Sequence, residues 1–401
     1  MGPPGSAQAV SIAEANQKGL EAFGQRDYVT AMRWFRLSAD RGNAPAQYLV
    51  GAMFAGGQGV PKDYAQAMSW WRKAADQGYA KGQSGMGRIY FRGMGVAEDD
   101  AQAAIWYRKA ADQGDAEAET ALGLMYRNGW GLPKDDAQAA LWFRKGAEQG
   151  WAVAQTNLGV MYLAGEGVAR DSAQGMLWLH KAVDQNDASA EQAIGTAYRD
   201  GTGVAQDYAQ ALVWLRKAAD HGDALAQIKI GALYMQGQGV TEDDAQAVSW
   251  YRKAADQGYA SGQNMLGIMY ELGRGVPKDY AQAMRLFRKS ADQGDSSGQV
   301  LVGSMYRDGL GVPVDYAQAK IWYHKAADRG FEQAQKDLVD LEEQTHAEAR
   351  KLRIPGALAF LCFFDAAPYS KTAADAAQKY DVCLRTNWKK YTGGSLPFPE
   401  D

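Results

Sequence analysis

Residues 43–78 read NAPAQYLVGAMFAGGQGVPKDYAQAMSWWRKAADQG, and this pattern occurs eight times in the chain at a spacing of 36 residues. The dipeptide Ala-Gln, for example, begins at residue 65 and recurs at the same spacing up to residue 317. The eight copies fill residues 43–330 without an insertion or a deletion. Self-similarity at a fixed period of about 20–50 residues indicates a repeat architecture.

Each copy is predicted to form two helices joined by a glycine-rich loop. In residues 151–186, helices are expected over 154–164 and 171–184. Apolar residues recur there at steps of three and four, as at Leu158, Met161 and Tyr162, which indicates a helix rather than a strand. One such hairpin cannot bury both of its apolar faces, so neighbouring copies are expected to stack.

Polar residues mark the start of each second helix. An aspartate precedes that helix and a glutamine follows three residues later, as at Asp63 and Gln66. This spacing predicts a capping box, in which the two side chains satisfy backbone N–H groups that have no partner inside the helix.

The glycines follow the repeat as well. The chain contains 46 glycines, and 31 of them occupy four positions of the 36-residue unit. Gly51 lies within a first helix, where glycine is unfavourable, which predicts that two helices cross there too closely for a Cβ. Gly57 and Gly59 lie in the loop, where a positive φ is expected.

These positions resemble the Sel-1-like repeat, a longer relative of the tetratricopeptide repeat. The residues that carry the resemblance are Leu122-Gly123-x-x-Tyr126, Gly129-x-Gly131, Asp135, Ala139, Trp142 and Lys145-Gly146-Ala147. Leu286 departs from the tryptophan position and Asn186 from the closing glycine. The resemblance implies an all-α fold, a right-handed α-solenoid or superhelix of about nine helix-turn-helix units with a C-terminal helical cap.

Four parts follow along the chain. Residues 1–10 are expected to be a flexible N-terminus or a cloning remnant, and residues 11–42 resemble a tetratricopeptide-like unit that caps the array. The eight repeats occupy residues 43–330. Residues 331–401 are expected to form capping helices and a tail, where Cys362 and Cys383 form a disulfide or remain two buried thiols.

No catalytic residue, metal site or cofactor is predicted, and the chain is expected not to be an enzyme. The Gly-x-Gly segment joins two helices, whereas a dinucleotide-binding loop follows a strand. The recurring aspartates fit helix caps better than paired catalytic carboxylates. The recurring tryptophans fit a core between repeats better than a base-stacking ladder, whereas Trp130, Trp151 and Trp388 lie outside that position and are freer to contact a ligand.

Charge and hydropathy exclude two classes of partner. The net charge of −4 gives no basic surface for nucleic acid. The longest apolar run, residues 354–364, is shorter than the roughly 20 residues of a membrane span. No leader peptide is visible at the N-terminus. A periplasmic or secreted location is expected if the natural N-terminus carries a leader, and a cytoplasmic location is the alternative.

Function is expected where the copies differ from one another. By analogy with tetratricopeptide arrays, the first helices line a concave face that carries variable charged and aromatic side chains. The predicted partner-binding residues are Tyr48, Arg88, Phe91, Arg92, Arg127, Asn128, Asn157, Arg199, Lys229, Met235, Glu271 and Arg307. Five arginines and a lysine among them predict a groove for an extended or helical acidic peptide. An ordinary solvated helix face is the alternative.

The leading functional prediction is a non-enzymatic scaffold or adaptor that binds a partner protein or peptide. A monomer is favoured, and the oligomeric state stays open. The resemblance implies bacterial roles in the cell envelope, in secretion or in host interaction. The alternative is a β-lactam- or peptidoglycan-related ligand-binding protein or hydrolase. It is less favoured because the relatives that act on β-lactams carry a cysteine pair in each repeat, and these repeats contain none.

Overall fold

Every 36-residue copy folds as two helices of 12 or 13 residues, with the glycine-rich loop between them. The computed structural model describes residues 10–351, with side chains described up to residue 343, and within this range the secondary structure is helical without a strand. The helices predicted over residues 154–164 and 171–184 are confirmed as Ala152–Ala164 and Ser172–Val183.

The chain divides into two units, the first ending at Asp207 and the second beginning at Tyr208. The helices of the first unit are α1 (Ile12–Gly24), α2 (Tyr28–Ala39), α3 (Ala44–Gly56), α4 (Tyr64–Asp76), α5 (Ala80–Phe91), α6 (Asp100–Ala111), α7 (Ala116–Asn128), α8 (Asp136–Glu148), α9 (Ala152–Ala164), α10 (Ser172–Val183) and α11 (Ala188–Asp200). The described helices of the second unit are α12 (Tyr208–Asp220), α13 (Ala224–Gln236), α14 (Asp244–Asp256), α15 (Ala260–Leu272), α16 (Tyr280–Asp292), α17 (Ser296–Asp308), α18 (Tyr316–Ala327) and α19 (Glu332–Lys351).

Within each unit, successive helix pairs stack and their first helices form a layer. In the first unit α3 contacts α5, and α5 contacts α7; in the second, α13 contacts α15, and α15 contacts α17. This packing is that of an all-α solenoid, as predicted. A layer of first helices places the variable positions of several repeats on one face.

The glycine inside the first helix allows the two helices of a repeat to pack closely, as predicted. A Cβ on Gly51 would lie 2.5 Å from the Trp71 ring, and one on Gly123 would lie 2.5 Å from the Phe143 ring. The aromatic residue follows the glycine by 20 positions in both repeats. Its ring therefore packs directly on the backbone of the first helix.

The predicted aspartate caps are confirmed, but the second bond of the predicted capping box, from the aspartate N–H to the glutamine side chain, does not form at Asp63. Asp63 Oδ1 accepts a hydrogen bond from the Gln66 N–H at 3.0 Å. The Asp63 N–H does not bond the Gln66 side chain, because it donates to the Phe54 carbonyl at 3.0 Å. That bond ties the end of the loop to the preceding helix. The same capping bond forms at Asp99, Asp135, Asp171, Asp243, Asp279 and Asp315.

The recurring tryptophans contribute to the core between repeats. Trp70 and Trp142 are at least 96 % buried, and Trp70 belongs to a cluster that includes Met53 of its own repeat and Phe35 of the preceding helix pair. The Lys73 ammonium lies 4.0 Å from the centre of the Trp70 ring. Both ring faces of a buried, lysine-covered indole are thus unavailable to a stacked base, which favours the core interpretation.

The last described helix is α19, which lies at the start of the segment 331–401 that was expected to form capping helices and a tail. Its Leu341 is fully buried in a cluster with Ala319 and Tyr323. The predicted tail, with Cys362, Cys383 and Trp388, lies outside the described residues. Among the helices of the described chain, none combines the length and the apolar character needed to cross a membrane.

Candidate functional site

The first helices α5, α7 and α9 line an open cavity of about 280 Å³ in the first unit. Three of the predicted partner-binding residues, Arg88, Phe91 and Arg92, meet at this cavity. The full lining is Arg88, Phe91, Arg92, Tyr107, Glu117, Thr120, Ala121, Leu124, Met125, Trp151 and Val153. The surface is concave and mostly apolar, with a few polar groups, which is the general character of a binding site.

Trp151 stands where most repeats have a helix-capping residue. At the equivalent position before α7, Asp115 Oδ1 accepts a hydrogen bond from the Ala118 N–H at 2.9 Å. Trp151 precedes α9 and Tyr79 precedes α5, and neither side chain makes a capping bond. Trp151 also leaves 42 % of its surface exposed. Loss of a cap costs about 1 kcal/mol, and violations of local rules concentrate at functional sites.

The two arginines at the cavity differ in their partners. Arg88 Nη2 lies 2.8 Å from Glu117 Oε1, and its guanidinium lies over the Trp71 ring at 5.6 Å. Arg92 is exposed and has neither an ion pair nor a hydrogen bond to any described side chain. Arg92 therefore carries the positive charge that is not offset by a neighbouring carboxylate.

Tyr107 reaches the cavity from α6, a second helix. The residue is 5 % exposed, and its hydroxyl makes no hydrogen bond within the described part of the chain. Burial raises the pKa of the phenol well above its usual value, an effect that the charges of Arg88 and Arg92 partly oppose. Tyr107 therefore stays protonated and presents a neutral hydroxyl group.

A second group of predicted residues lies beside the cavity. The Phe91 and Trp130 rings are 5.5 Å apart, and Trp130 is 40 % exposed. Arg127 donates to Glu166 Oε2 at 3.1 Å and to Asn157 Oδ1 at 3.3 Å. The exposure expected of Trp130 and Trp151 is confirmed, and the face continues from the cavity towards α9. Asn128 is exposed at the end of α7, where its side chain donates to the Leu124 carbonyl.

Tyr48 extends the face in the other direction, towards α3. Its ring lies 6.3 Å from that of Trp71 and 6.1 Å from that of Tyr79. Burial raises the pKa of the Tyr48 hydroxyl. Aromatic side chains thus line the face on the α3 side of the cavity as well.

The remaining predicted residues are not part of the cavity lining. Arg199, on α11, pairs with Asp200 at 2.7 Å. In the second unit, Arg307 pairs with Asp308 at 2.7 Å, and burial followed by the Asp308 charge raises the pKa of Glu271. The second unit also contains Lys229 and Met235 on α13. Four of the five predicted arginines therefore have a carboxylate partner, so these positions carry much less unpaired positive charge than the residue count implies.

The repeats match a known family along most of the chain. The family model described as Sel1 repeat matches residues 10–43, 44–79, 80–115, 116–151, 152–187, 188–223, 224–259, 260–295 and 296–331. The chain belongs to the Sel1 repeat family. The first match covers the N-terminal pair α1 and α2, so this pair is a Sel1 repeat in addition to the eight regular copies.

Two solved structures are similar to this Sel1 repeat chain. One is a protective antigen of uropathogenic Escherichia coli strains with an SLR fold: it is 31% identical, and the match covers 95% of this chain and 89% of the antigen with a TM-score of 0.53. The other is a Sel1 repeat protein from Oxalobacter formigenes, 36% identical over 72% of this chain and 85% of that one, also with a TM-score of 0.53. A comparison with curated proteins gave no match. Sel1 repeat proteins generally act as protein-interaction scaffolds.

Sequence reasoning missed part of the Sel1 repeat site. Tyr107 was not predicted because second helices were expected to face the core. Glu117 and Leu124 were not predicted, although both occupy variable positions of the repeat and Leu124 shares the repeat position of Arg88. Trp151 had a usable signal, since an aromatic residue at a position that most copies fill with Asp or Asn breaks the capping pattern. The described residues contain no group of three or more His, Cys, Asp or Glu side chains placed to hold a metal ion.

Proposed function

We propose that this Sel1 repeat protein is a non-enzymatic scaffold that binds a segment of a partner protein along the first helices α3 to α9. The observation that carries the proposal is Trp151, which is exposed at the edge of a cavity in place of a capping residue. Exposed aromatic residues beside a pocket are typical anchors of protein interfaces. Trp130 and Phe91 add to the same apolar surface.

The partner segment is proposed to be acidic. Arg92 supports this, because its charge lies at the cavity without a carboxylate partner in the described chain. Arg88 and Arg127 contribute less, because Glu117 and Glu166 offset their charges. The acidic character is thus proposed to be local, opposite Arg92, rather than spread along the whole segment.

The proposed setting is the bacterial cell envelope or the surface exposed to a host. The similar Escherichia coli protein is a protective antigen, which supports a location that an immune system meets. Fractionation of the native bacterium, with periplasmic and cytoplasmic marker proteins followed in parallel, tests this setting. Recovery with the cytoplasmic marker would contradict it.

The alternative of a β-lactam-related hydrolase has a direct assay. Purified protein is expected to turn over the chromogenic substrate nitrocefin no faster than buffer does. Turnover that scales with protein concentration and survives repeated purification would replace the scaffold proposal with an enzymatic one.

Trp151→Asn tests the docking face with little risk to the fold. Asn43 already caps α3 at the equivalent position, by accepting from the Ala46 N–H at 2.9 Å. Peptides selected from a random display library on the full chain are expected to bind the Asn variant at least about 10-fold more weakly. Tyr259→Asn, at the same repeat position before α15, is the matched control and should leave their affinity unchanged. Equal binding by the Trp151 variant would exclude this face.

A further inference from the structure

We infer that the cavity between α5, α7 and α9 binds the side-chain carboxylate of an aspartate or glutamate within the partner segment, while an adjacent apolar residue packs against Phe91, Leu124 and Trp151. This inference rests on the proposed function and names the group that the site recognises. Three independent features support it: an unpartnered hydroxyl, an unpaired cation and an apolar wall.

The hydroxyl of Tyr107 has no hydrogen-bond partner in the described chain. Two other tyrosines occupy the same position of the repeat and both have one. Tyr251 OH lies 3.9 Å from the Met235 sulfur, and Tyr323 OH lies 3.1 Å from Ser304 Oγ. Tyr107 is 95 % buried, lines the cavity and makes no such contact. The hydroxyl is not a fully enclosed polar atom, so water in the cavity can bond it, and a ligand atom that accepts its hydrogen bond would take the place of that water.

The unpaired Arg92 at the cavity favours an anionic group. Arg88 and Glu117 form an ion pair at 2.8 Å, so their charges offset each other. Arg92 adds a positive charge that has no ion-pair partner in the described chain, although the Asp115 carboxylate also acts on the Tyr107 hydroxyl. A carboxylate can accept from the Arg92 guanidinium with one oxygen and from the Tyr107 hydroxyl with the other, and charge-assisted hydrogen bonds are the stronger class.

The wall of the cavity explains why the acidic residue needs an apolar neighbour. Leu124 and Val153 line it together with the indole of Trp151. Val153 and Trp151 leave 45 % and 42 % of their surfaces exposed. The volume of about 280 Å³ lies just below the range of about 300–1,000 Å³ typical of ligand pockets, so it suits one or two side chains rather than a whole folded element.

The segment is inferred to pass through the cavity rather than end in it. Aromatic surface continues on the α3 side with Tyr48 and Tyr79, and a second aromatic surface lies at the C-terminal end of α5, where Trp130 packs beside Phe91. A chain that ended at the cavity would leave one of these two surfaces uncovered. The carboxylate is therefore assigned to a side chain and not to the C-terminus of the partner.

Matched peptides and variants test this inference. Peptides selected on the full chain from a random library are expected to contain Asp or Glu next to an apolar residue. Exchange of that acid for its amide should weaken binding by about 10-fold or more, whereas amidation of the peptide C-terminus should have no effect. Tyr107→Phe and Arg92→Gln should each reduce the affinity for the acidic peptide more than that for its amide analogue, which can still accept a hydrogen bond but without the help of a charge. Tyr107→Phe should fold normally, because Phe143 and Phe287 occupy the same repeat position.

Tyr251→Phe is the control, since it removes a hydroxyl from the same position in the second unit. Binding that responds to Trp151→Asn but not to Tyr107→Phe, Arg92→Gln or the acid-to-amide exchange would overturn this inference and leave the proposed function standing. Sensitivity to C-terminal amidation in place of the side-chain acid would also overturn it. Peptide binding that ignores Trp151→Asn would show instead that the proposed function itself fails.

Discussion

The rings of Phe91 and Trp130 lie 5.5 Å apart, although 39 residues separate them along the chain. The same step of 39 residues joins Arg127 to Glu166, whose charged groups lie 3.1 Å apart. In both pairs, the residue between the two loop glycines of one repeat contacts the last turn of the first helix in the preceding repeat. The variable loop position and the variable helix position therefore form one surface, and they should be analysed as pairs.

A third pair in the second unit shows that this relation does not depend on one type of interaction. Arg274 Nη2 donates to the main-chain carbonyl of Met235 at 3.3 Å, again across 39 residues. Arg274 also bonds Asp244 and Glu242, at 2.7 Å and 2.9 Å. An aromatic, an ionic and a main-chain contact thus all form between residues 39 positions apart. Replacement of both residues of such a pair can therefore change the chemistry of the face without changing the fold.

Substitution of Trp151 is predicted to separate stability from binding. Trp151→Ala removes the exposed indole, whereas Trp151→Asn also supplies a cap for α9. The Asn variant is therefore expected to exceed the Ala variant by about 1 kcal/mol in the free energy of unfolding. Urea denaturation followed by circular dichroism measures the difference. Equal stability of the two variants would mean that the α9 N-terminus cannot accept a side-chain cap.

The helix-interior glycines are predicted to be required for close packing. In Gly51→Ala, the new Cβ would lie 2.5 Å from the Trp71 ring, which cannot move away because it is 1 % exposed. Such overpacking is expected to lower the free energy of unfolding by about 1–3 kcal/mol. Gly24→Ala, at the end of α1, is the control, because its Cβ would meet no atom within 4 Å. A neutral Gly51→Ala would disprove the packing argument.

Much of the fold could be predicted because it depends on local sequence patterns that recur in all eight copies of the repeat. The Asp63 cap and the close packing at Gly51 follow from residue type and position alone. The reciprocal capping bond was wrong because the Asp63 N–H finds a partner in Phe54, outside the local motif. A capping motif that is inferred from the sequence of one helix takes no account of residues elsewhere in the chain, such as Phe54, that pack against the end of that helix.

The site was harder to predict because it depends on contacts between repeats. Arg88 and Arg92 look equivalent in the sequence, yet Glu117, in the next repeat, offsets only Arg88. Tyr107 has the same residue type and repeat position as Tyr251, and only the surrounding side chains decide which hydroxyl lacks a partner. Periodicity identifies the face, whereas the free charge and the free hydroxyl require three-dimensional structure.

Glu119 is predicted to make stability depend on pH. It is 3 % exposed, and burial raises the pKa of its carboxyl, while Lys145 and a bond from Gln149 oppose the shift. The folded state therefore binds the proton more tightly than the unfolded state does, so stability falls as the pH rises through the titration range of this carboxyl. Gln83 and Gln155 hold the equivalent position in other repeats and accept the same bond.

Glu119→Gln is therefore expected to raise the free energy of unfolding at pH 7. The gain should vanish below the ordinary glutamate pKa of about 4.3, where Glu119 is protonated as well. Denaturation curves of both proteins across this pH range provide the measurement. A gain that is the same at every pH would show that packing, and not charge burial, distinguishes the two side chains.

Charge reversal is predicted to separate Arg92 from Arg127, although both were predicted to bind an acidic partner. Arg92→Glu places a negative charge at the cavity and should weaken capture of selected acidic peptides by about 10-fold or more. Arg127→Glu should weaken it less, because Glu166 already offsets the Arg127 charge. Arg33→Glu, on the exposed face of α2, is the control for net charge. Peptide titrations at low and high salt measure these effects, because salt screens long-range attraction more than a local contact. Equal losses of affinity for all three variants would indicate long-range attraction instead of a local contact at Arg92.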